Sequence, residues 1–182
     1  MKSFNIPELT TARLELTRIE TSDHINIFKG LSNPEVIQFY GVQYDSFEES
    51  REQMNWYANL EKSNSGMWWA IRLKDSGEFC GAIGFNDYQK EHRKGEFGYW
   101  LLPEYWKKGY LQESAEKVIE YLFDELHLHR LEAFVESGNE NSSKTLLNLG
   151  FNHEGKMIDC EIKNGKFISV DLYARINQKN RR

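Results

Sequence analysis

The chain has 182 residues, of which 40% are hydrophobic and 14% aromatic, so we expect one domain over residues 1–182 with a sizeable core. Its formal net charge of −5 argues against a large nucleic-acid surface and favours cationic partners. Because no apolar run is long enough to span a bilayer and the N-terminus lacks a secretory-signal pattern, the sequence predicts a cytoplasmic protein without a membrane partner.

The first third of the chain predicts one strand followed by two helices. Apolar and polar residues alternate over 11–19, as in a half-buried strand. Capping oxygens at the start of 21–31 favour a first helix there. Ser46 and Glu49 have the spacing of a capping box, which predicts a second helix over about 46–62.

Three strands precede the most regular helix of the sequence. Residues 67–73 and 78–85 are strand-like and flank turn residues at 75–77, which predicts an antiparallel hairpin. A further strand covers 95–102. Apolar residues then recur at helical spacing over 111–126, and the opposite face is polar. This pattern predicts a helix that packs on the core through one stripe.

The C-terminal part predicts a strand, a helix and a closing hairpin. Residues 130–136 have the pattern of a strand, and 139–150 that of a helix closed by a glycine. Strands over 151–162 and 167–176 flank an Asn-Gly dipeptide at 164–165. A type I′ turn needs positive φ at both of its central positions, and this dipeptide supplies them.

The two cysteines and the C-terminal tail are given structural roles. Cys80 and Cys160 lie in predicted strands rather than at metal-ligand spacing, so we expect two buried, reduced thiols and no metal. The short basic tail at 179–182 is expected to be a frayed terminus rather than a binding arm.

A short basic loop leads from the strand at 95–102 into the regular helix. The first N–H groups of a helix lack acceptors and carry partial positive charge, so they can bind phosphate oxygens. Lys107 and Lys108 add charge, and Gly109 lets a ligand approach the main chain. The same residues also fit an ordinary strand-to-helix connection with solvated lysines, and the loop alone does not decide between these interpretations.

Six short motifs connect the chain to a known family. They are Glu96-Phe97-Gly98-Tyr99-Trp100-Leu101, Gly109-Tyr110, Asn139-x-x-Ser142, Leu149-Gly150-Phe151, Asn164-Gly165 and Asp171-Leu172-Tyr173-Ala174-Arg175. In this order and spacing, over about 9–176, the chain resembles the GNAT N-acetyltransferase superfamily, and within it the RimJ/RimL-type branch. That branch is associated with acetylation of α-amino groups of ribosomal proteins. The resemblance implies an α/β (α+β) fold with a mixed, mostly antiparallel seven-stranded sheet, about four helices, and a splay between strands four and five.

The resemblance implies acetyl-CoA as cosubstrate and no metal. Its pyrophosphate would lie on the amides of the loop, and its thioester near the end of the fourth strand, where main-chain N–H groups could hold an oxyanion. Of the family's loop pattern, Gln/Arg-x-x-Gly-x-Gly/Ala, only Gly109 is present, because Trp106 and Leu111 replace the outer positions. The expected contact residues are Trp100, Leu101, Leu102, Lys107, Lys108, Gly109, Tyr110 and Leu111.

The family's Asn-x-x-Ser pair is present as Asn139 and Ser142. By resemblance Asn139 contacts the pantetheine arm and Ser142 lies near the departing sulfur. Many superfamily members carry an acidic tyrosine one turn later, where this chain has Leu146. Ser142 is then the candidate acid, which in physical terms is a hydrogen-bond donor to the thiolate. The alternative is that these residues only cap a helix.

Two carboxylates are candidates for the general base. Glu161 precedes the turn of the final hairpin, a region that lines the acceptor pocket in the family, and Glu96 shares a strand face with Trp100. Either could deprotonate an amine, and either could be a solvated strand charge.

The resemblance therefore implies an acetyl-CoA-dependent N-acetyltransferase that acts by direct transfer on a primary amine, with the N-terminal α-amine of a ribosomal or similar protein as the leading acceptor. An α-amine, with a pKa near 7.7 to 8.0, is neutral far more often than a lysine near 10.4. A small cationic amine such as a polyamine is the alternative acceptor, and a noncatalytic acyl-CoA-binding module is the alternative class. Homodimers are common in the family, so a homodimer is one expected assembly.

Overall fold

A computed structural model of the protein describes residues 6–180. The strands within them are β1 (Leu9–Thr10), β2 (Leu14–Arg18), β3 (Met67–Leu73), β4 (Phe79–Gln89), β5 (Lys94–Leu101), β6 (Arg130–Glu136), β7 (Asn152–Lys163) and β8 (Lys166–Ile176). They form one sheet in the order β1-β2-β3-β4-β5-β6-β8-β7, and β5 and β6 are the parallel pair in this part of the chain.

Helices cover both faces of the sheet. They are α1 (His24–Leu31), α2 (Pro34–Ile37), α3 (Arg51–Ser63), α4 (Tyr110–Asp124) and α5 (Glu140–Asn148), with 3₁₀ turns at Thr21–Asp23, Pro103–Tyr105 and Gln178–Asn180. Across residues 6–180, no helix has the length and apolar character needed to cross a membrane.

The expected α/β class with a mixed, mostly antiparallel sheet is confirmed. For residues 6–180 the sheet has eight strands instead of the expected seven, and there are five helices where about four were expected. The additional strand is β1, which pairs antiparallel with β2. The additional helix is α2, which lies between the two helices predicted for this part of the chain. Proline is compatible with the first position of a helix, and the Asn33 side chain caps this one by accepting from the N–H of Glu35.

The second helix also begins later than predicted. Ser46 Oγ accepts from the N–H of Glu49, but the Glu49 carboxylate accepts from Asp45 rather than from Ser46. The reciprocal bonds of a capping box are therefore incomplete, and α3 begins at Arg51.

Two apolar clusters fill the space between the sheet and its helices. Neighbouring residues of a strand point to opposite faces, so Trp69 packs in the cluster beneath α4 and α5, and Trp68 in the cluster beneath α1 and α3. Strand β5 likewise sends Phe97 toward α4 and α5 and Trp100 toward α1 and α3. By the same alternation Glu96 shares the face of Trp100.

The two parallel strands diverge soon after they meet. Pairing between β5 and β6 ends at Glu96 and Glu132, although both strands continue, to Leu101 and Glu136. The predicted splay is therefore present. It lies between β5 and β6, which correspond to the predicted strands four and five because β1 was not among the predicted strands. It leaves a gap in the middle of the sheet.

The closing hairpin has the predicted turn. Asn164 and Gly165 have φ of 50° and 75°, as a type I′ turn requires. The expectation of two buried thiols is wrong for Cys160, since Cys80 is buried but Cys160 is exposed. Its strand, β7, forms the outer edge of the sheet, where side chains face solvent.

The predicted frayed tail is only partly described. Lys179 is fixed by its Nζ, which lies 2.8 Å from Asp124 Oδ2 at the end of α4. Arg181 and Arg182 lie outside the described residues.

Candidate functional site

The gap in the sheet is lined by main-chain groups of β5. The N–H of Leu102 donates to Cys80 O on β4 over 2.8 Å, so by alternation the N–H and C=O groups of Tyr99 and Leu101 point away from β4, into the gap. Leu101 O accepts from the indole Nε1 of Trp106 over 2.9 Å. The Leu101 N–H remains as a donor at a place where no strand pairs with β5.

The loop that follows β5 presents a series of amide donors. Gly109 is the N-cap of α4 with φ of 78°, and Lys107 also adopts a left-handed conformation with φ of 60°. Within residues 6–180, the amide N–H groups of residues 107–112 have no hydrogen-bond acceptor. The lysine side chains here are exposed. The loop therefore combines positive charge with a helix N-terminus, which suits an anion.

Arg13, just before β2, holds this loop in place. Its Nη1 donates to Lys108 O over 3.0 Å, its Nε donates to Glu113 Oε2 over 2.7 Å, and its guanidinium lies 4.7 Å from the ring centroid of Tyr110. Thr11 Oγ1 and the Arg13 N–H both donate to Glu113 Oε1, over 2.6 and 2.8 Å. Burial alone raises the pKa of Glu113, but these bonds outweigh it and lower that pKa below its ordinary value.

The structure brings the predicted contact residues of this region together, but the side chains of several are buried and leave only main-chain groups facing the gap. Trp100, Leu101 and Leu102 are buried, so their side chains pack in the core. Leu111 packs against the core from the first turn of α4. Trp106, which replaces the polar residue of the family pattern, joins the loop to the end of β5 by its bond to Leu101.

Asn139 and Ser142 lie at the N-terminus of α5. Asn139 Oδ1 accepts from the Ser142 N–H over 3.1 Å, so Asn139 does cap the helix, as the alternative interpretation predicted. Ser142 Oγ lies 2.8 Å from the hydroxyl of Tyr99 on β5. Burial raises the pKa of Tyr99 to about 12. Leu146 is buried in the core one turn later.

Tyr99 was not singled out by the sequence as a site residue. It alternates with Phe97 and Leu101 on β5, a pattern that indicates core packing alone. Its hydroxyl partner is 43 residues away in the chain. No local sequence signal joins the two.

The opposite face of the gap is acidic. Burial, followed by the charge and hydrogen bond of Asp87 and the charges of Glu132 and Glu161, raises the pKa of Glu96 to about 7. Asp87 lies in an irregular part of β4 and has a left-handed φ of 51°. Glu161 is exposed on β7. Of the two predicted bases, Glu96 is therefore half-buried with a perturbed pKa, whereas Glu161 contributes charge from solvent.

An aromatic cavity of about 360 Å³ lies on this acidic face, and no pattern in the sequence predicted it. Its lining residues come from the segment after α2 and from α3, and they are Tyr40, Val42, Tyr44, Glu52, Gln53 and Trp56. Burial raises the pKa of Tyr40, and interactions with Tyr57 and Glu96 add to that increase.

A second cavity, of about 470 Å³, follows the outer face of α4. It is lined by Thr11, Glu113, Glu116, Lys117 and Glu120. It is the larger of the two, but its carboxylates do not suit a phosphate, and it lies away from the gap between β5 and β6. We assign no function to it.

The sequence is similar to those of known acetyltransferases. Residues 13–152 match the family model for the "Acetyltransferase (GNAT) domain". The "Uncharacterized N-acetyltransferase YoaA" of Bacillus subtilis (strain 168) is 34% identical over 174 residues, 95% of this chain and 98% of that protein. The "Ribosomal-protein-serine acetyltransferase" of Escherichia coli (strain K12) is 27% identical over 72% of each protein.

Solved structures show the same fold. A structure of RimL, described as a "Ribosomal L7/L12 alpha-N-protein acetyltransferase in complex with Coenzyme A", superposes with a TM-score of 0.84. It is 21% identical, and the match covers 93% of this chain and 98% of that one.

Proposed function

The chain belongs to the GNAT acetyltransferase family, and on that premise we propose that it transfers the acetyl group of acetyl-CoA directly to the N-terminal α-amine of a protein. The transfer itself follows from family membership. The acceptor, the cosubstrate and the residues that carry the reaction are the proposal.

The loop between β5 and α4 would hold the cosubstrate. The amide N–H groups of residues 107–112 without acceptors suit a pyrophosphate, and Lys107 and Lys108 supply charge. The pantetheine arm would then lie in the gap between β5 and β6. There, the Leu101 N–H could stabilise the carbonyl oxygen as it becomes an oxyanion, and Asn139 retains an amide NH₂ that makes no bond within residues 6–180.

The pKa of Glu96 is the observation that carries the α-amine proposal. A general base is most effective when its pKa lies near the working pH. With a pKa of about 7, Glu96 is about half ionised near neutral pH. Its pKa lies roughly 1 unit below that of an α-ammonium group but about 3 units below that of a lysine-like amine. Proton transfer from an α-amine to Glu96 therefore has the smaller thermodynamic cost.

Ser142 would act on the other side of the gap. The amine attacks the thioester carbonyl, the C–N bond forms and the C–S bond breaks. Glu96 accepts the proton of the amine, and Ser142 Oγ donates a hydrogen bond to the sulfur as it leaves as thiolate.

A small cationic amine is the second candidate acceptor, and the aromatic cavity favours it. The rings of Tyr40, Tyr44 and Trp56 together with the Glu52 carboxylate form a suitable environment for a second positive charge, as a polyamine carries. This candidate uses the same cosubstrate, base and gap.

A matched set of acceptors tests the proposal. Thiol release from acetyl-CoA is measured with a basic ribosomal-type peptide, with the same peptide acetylated at its N-terminus, and with spermidine. We expect release with the free peptide and none with the blocked one. Turnover of spermidine without turnover of the free peptide would replace the α-amine by the polyamine.

Two glutamine variants test the base. We expect Glu96→Gln to lower kcat/KM by about 10² to 10⁴-fold and to remove the rise of activity with pH near about 7. The matched variant Glu161→Gln keeps that rise but moves it to lower pH, because the Glu161 charge contributes to the raised pKa of Glu96. A lost rise in Glu161→Gln with an intact one in Glu96→Gln would transfer the role to Glu161.

A further inference from the structure

The hydroxyl groups of Tyr99 and Ser142 form a pair at the edge of the gap. Tyr99 lies on the part of β5 that has already separated from β6, and its hydroxyl reaches the first turn of α5. It lies 2.8 Å from Ser142 Oγ and 3.5 Å from Ser142 O, and these are its hydrogen-bond contacts within residues 6–180. The pair joins the strand that would carry the thioester to the helix that carries Ser142.

The direction of this hydrogen bond decides what Ser142 can do. A serine hydroxyl has one hydrogen, so if it donates to Tyr99 it cannot also donate to a sulfur. When Tyr99 donates to Ser142 Oγ instead, the serine hydrogen is free to point into the gap. Two hydroxyls in such a chain polarise each other, which makes the second one a stronger donor.

We propose that Tyr99 is a positioning residue for the leaving group: it donates its hydroxyl hydrogen to Ser142 Oγ, so that Ser142 directs its own hydrogen to the sulfur of CoA. This inference rests on the proposed function, because it assumes that the thiolate leaves beside Ser142. No atom is gained or lost in the pair. The C–S bond breaks, the thiolate takes the electron pair, and the free thiol forms when a proton arrives from solvent.

The surroundings of Tyr99 fit a donor rather than an acid. Its raised pKa, about 12, keeps the phenol protonated over the whole working range of pH. The position one turn after Ser142, where the resemblance would place a tyrosine, is occupied by the buried Leu146. A tyrosine hydroxyl nevertheless reaches the neighbourhood of Ser142, from the strand instead of from the helix.

Binding of the product tests the proposal without an acceptor. CoA and desulfo-CoA differ at the thiol, so the ratio of their dissociation constants reports what the site does for the sulfur. A thiol with a pKa of about 8.5 is largely neutral at about pH 7 and largely ionised at about pH 9.5. We expect the wild-type protein to prefer CoA over desulfo-CoA more strongly at the higher pH, because the pair donates to the thiolate.

Four variants make the measurement specific. The preference for CoA over desulfo-CoA should increase between about pH 7 and about pH 9.5 in the wild type. Tyr99→Phe should reduce that increase by about tenfold, which is the scale of a hydrogen bond to a charged group. Ser142→Ala should abolish it, and Tyr99→Phe/Ser142→Ala should lose nothing further. Tyr121→Phe is the matched control. Tyr121 belongs to α4 and packs against Trp69 of β3, and its hydroxyl makes no hydrogen bond within residues 6–180. Affinity for desulfo-CoA should be the same in all of them.

The outcomes separate this inference from the proposed function. A wild-type preference retained in Tyr99→Phe, or no pH-dependent preference in the wild type, overturns the role of Tyr99 while the acetyltransferase stands. Absence of binding by both ligands contradicts the proposed cosubstrate site itself. If Tyr99→Phe unfolds, 3-fluorotyrosine at position 99 replaces it as the test, because one fluorine makes the hydroxyl a stronger donor while the raised pKa of this site keeps it largely protonated. It should increase the preference, and an unchanged preference again overturns the proposal.

Discussion

At the scale of single residues, Glu96 shows how the candidate site conflicts with stability. The carboxyl group is half-buried and shares its surroundings with Asp87, Glu132 and Glu161. Such surroundings favour its neutral form and penalise its charge. The proposed reaction, however, needs the charged form. With a pKa of about 7, Glu96 reaches that form only as pH rises through neutrality, and each increase in its charge lowers the stability of the fold.

This conflict predicts a pH-dependent gain in stability for Glu96→Gln. The folded-state pKa of about 7 lies above the unfolded value, so the contribution of Glu96 is present below the unfolded pKa and is lost as pH rises through about 7. We expect the glutamine variant to melt above wild type at about pH 8 and close to it at about pH 5. Thermal unfolding at both pH values measures the difference.

Glu161→Gln is the control for this prediction, because Glu161 is exposed. Its removal should leave the melting temperature unchanged at about pH 5 and raise it at about pH 8 by much less than Glu96→Gln does, because Glu161 is the smallest of the contributions to the raised pKa of Glu96. An equal stabilisation of Glu96→Gln at about pH 5 and about pH 8 would contradict a charge-based cause.

At the scale of elements, the loop proposed to bind the pyrophosphate depends on a residue outside it. The sequence predicts the loop, the glycine and the helix start, because each is a local signal. It does not predict Arg13, which bonds to Lys108 O and to Glu113 across separations of 95 and 100 residues. A Cβ added to Gly109 would lie 3.3 Å from Arg13 Nη2, so the loop and the guanidinium are packed against each other.

We therefore expect Arg13→Met to weaken CoA binding by roughly tenfold, since the loop loses the bonds that hold its amides in register. The dissociation constant of CoA measures this. The matched control is Arg18→Met, because Arg18 lies on β2 but pairs with Glu61 of α3. Equal effects of the two variants would show that Arg13 only adds general charge or stability.

At the scale of the whole molecule, the sequence predicts the elements better than the site. The strand at 130–136 matches β6 at both ends, and 111–126 predicts α4 within two residues. These patterns are local, since alternation and helical spacing depend on neighbours in sequence. The two errors of count, β1 and α2, are elements of two and four residues, too short to carry a period.

The site depends instead on contacts between distant parts of the chain. Family resemblance supplied Ser142 and the loop, but nothing in a single sequence joins Tyr99 to Ser142 or Arg13 to Glu113. Lys163 makes a contact over a still larger separation in sequence. Its Nζ donates to Gln38 O over 2.6 Å, 125 residues away. The same Nζ lies 2.7 Å from Glu136 Oε2 at the end of β6. One lysine thus ties the closing hairpin both to the segment that leads into the aromatic cavity and to the edge of the gap.

This tie predicts separate effects on the two substrates. Lys163→Met should raise KM for the acceptor several-fold and increase hydrogen exchange over residues 38–44, because Gln38 O loses its donor and the cavity wall loses its anchor. KM for acetyl-CoA should not change, since the loop and Arg13 lie elsewhere. Lys166→Met is the matched control, because Lys166 pairs with Lys163 across the hairpin and is exposed. Parallel increases in both KM values would instead mean that Lys163 supports the whole sheet rather than the acceptor side of the gap.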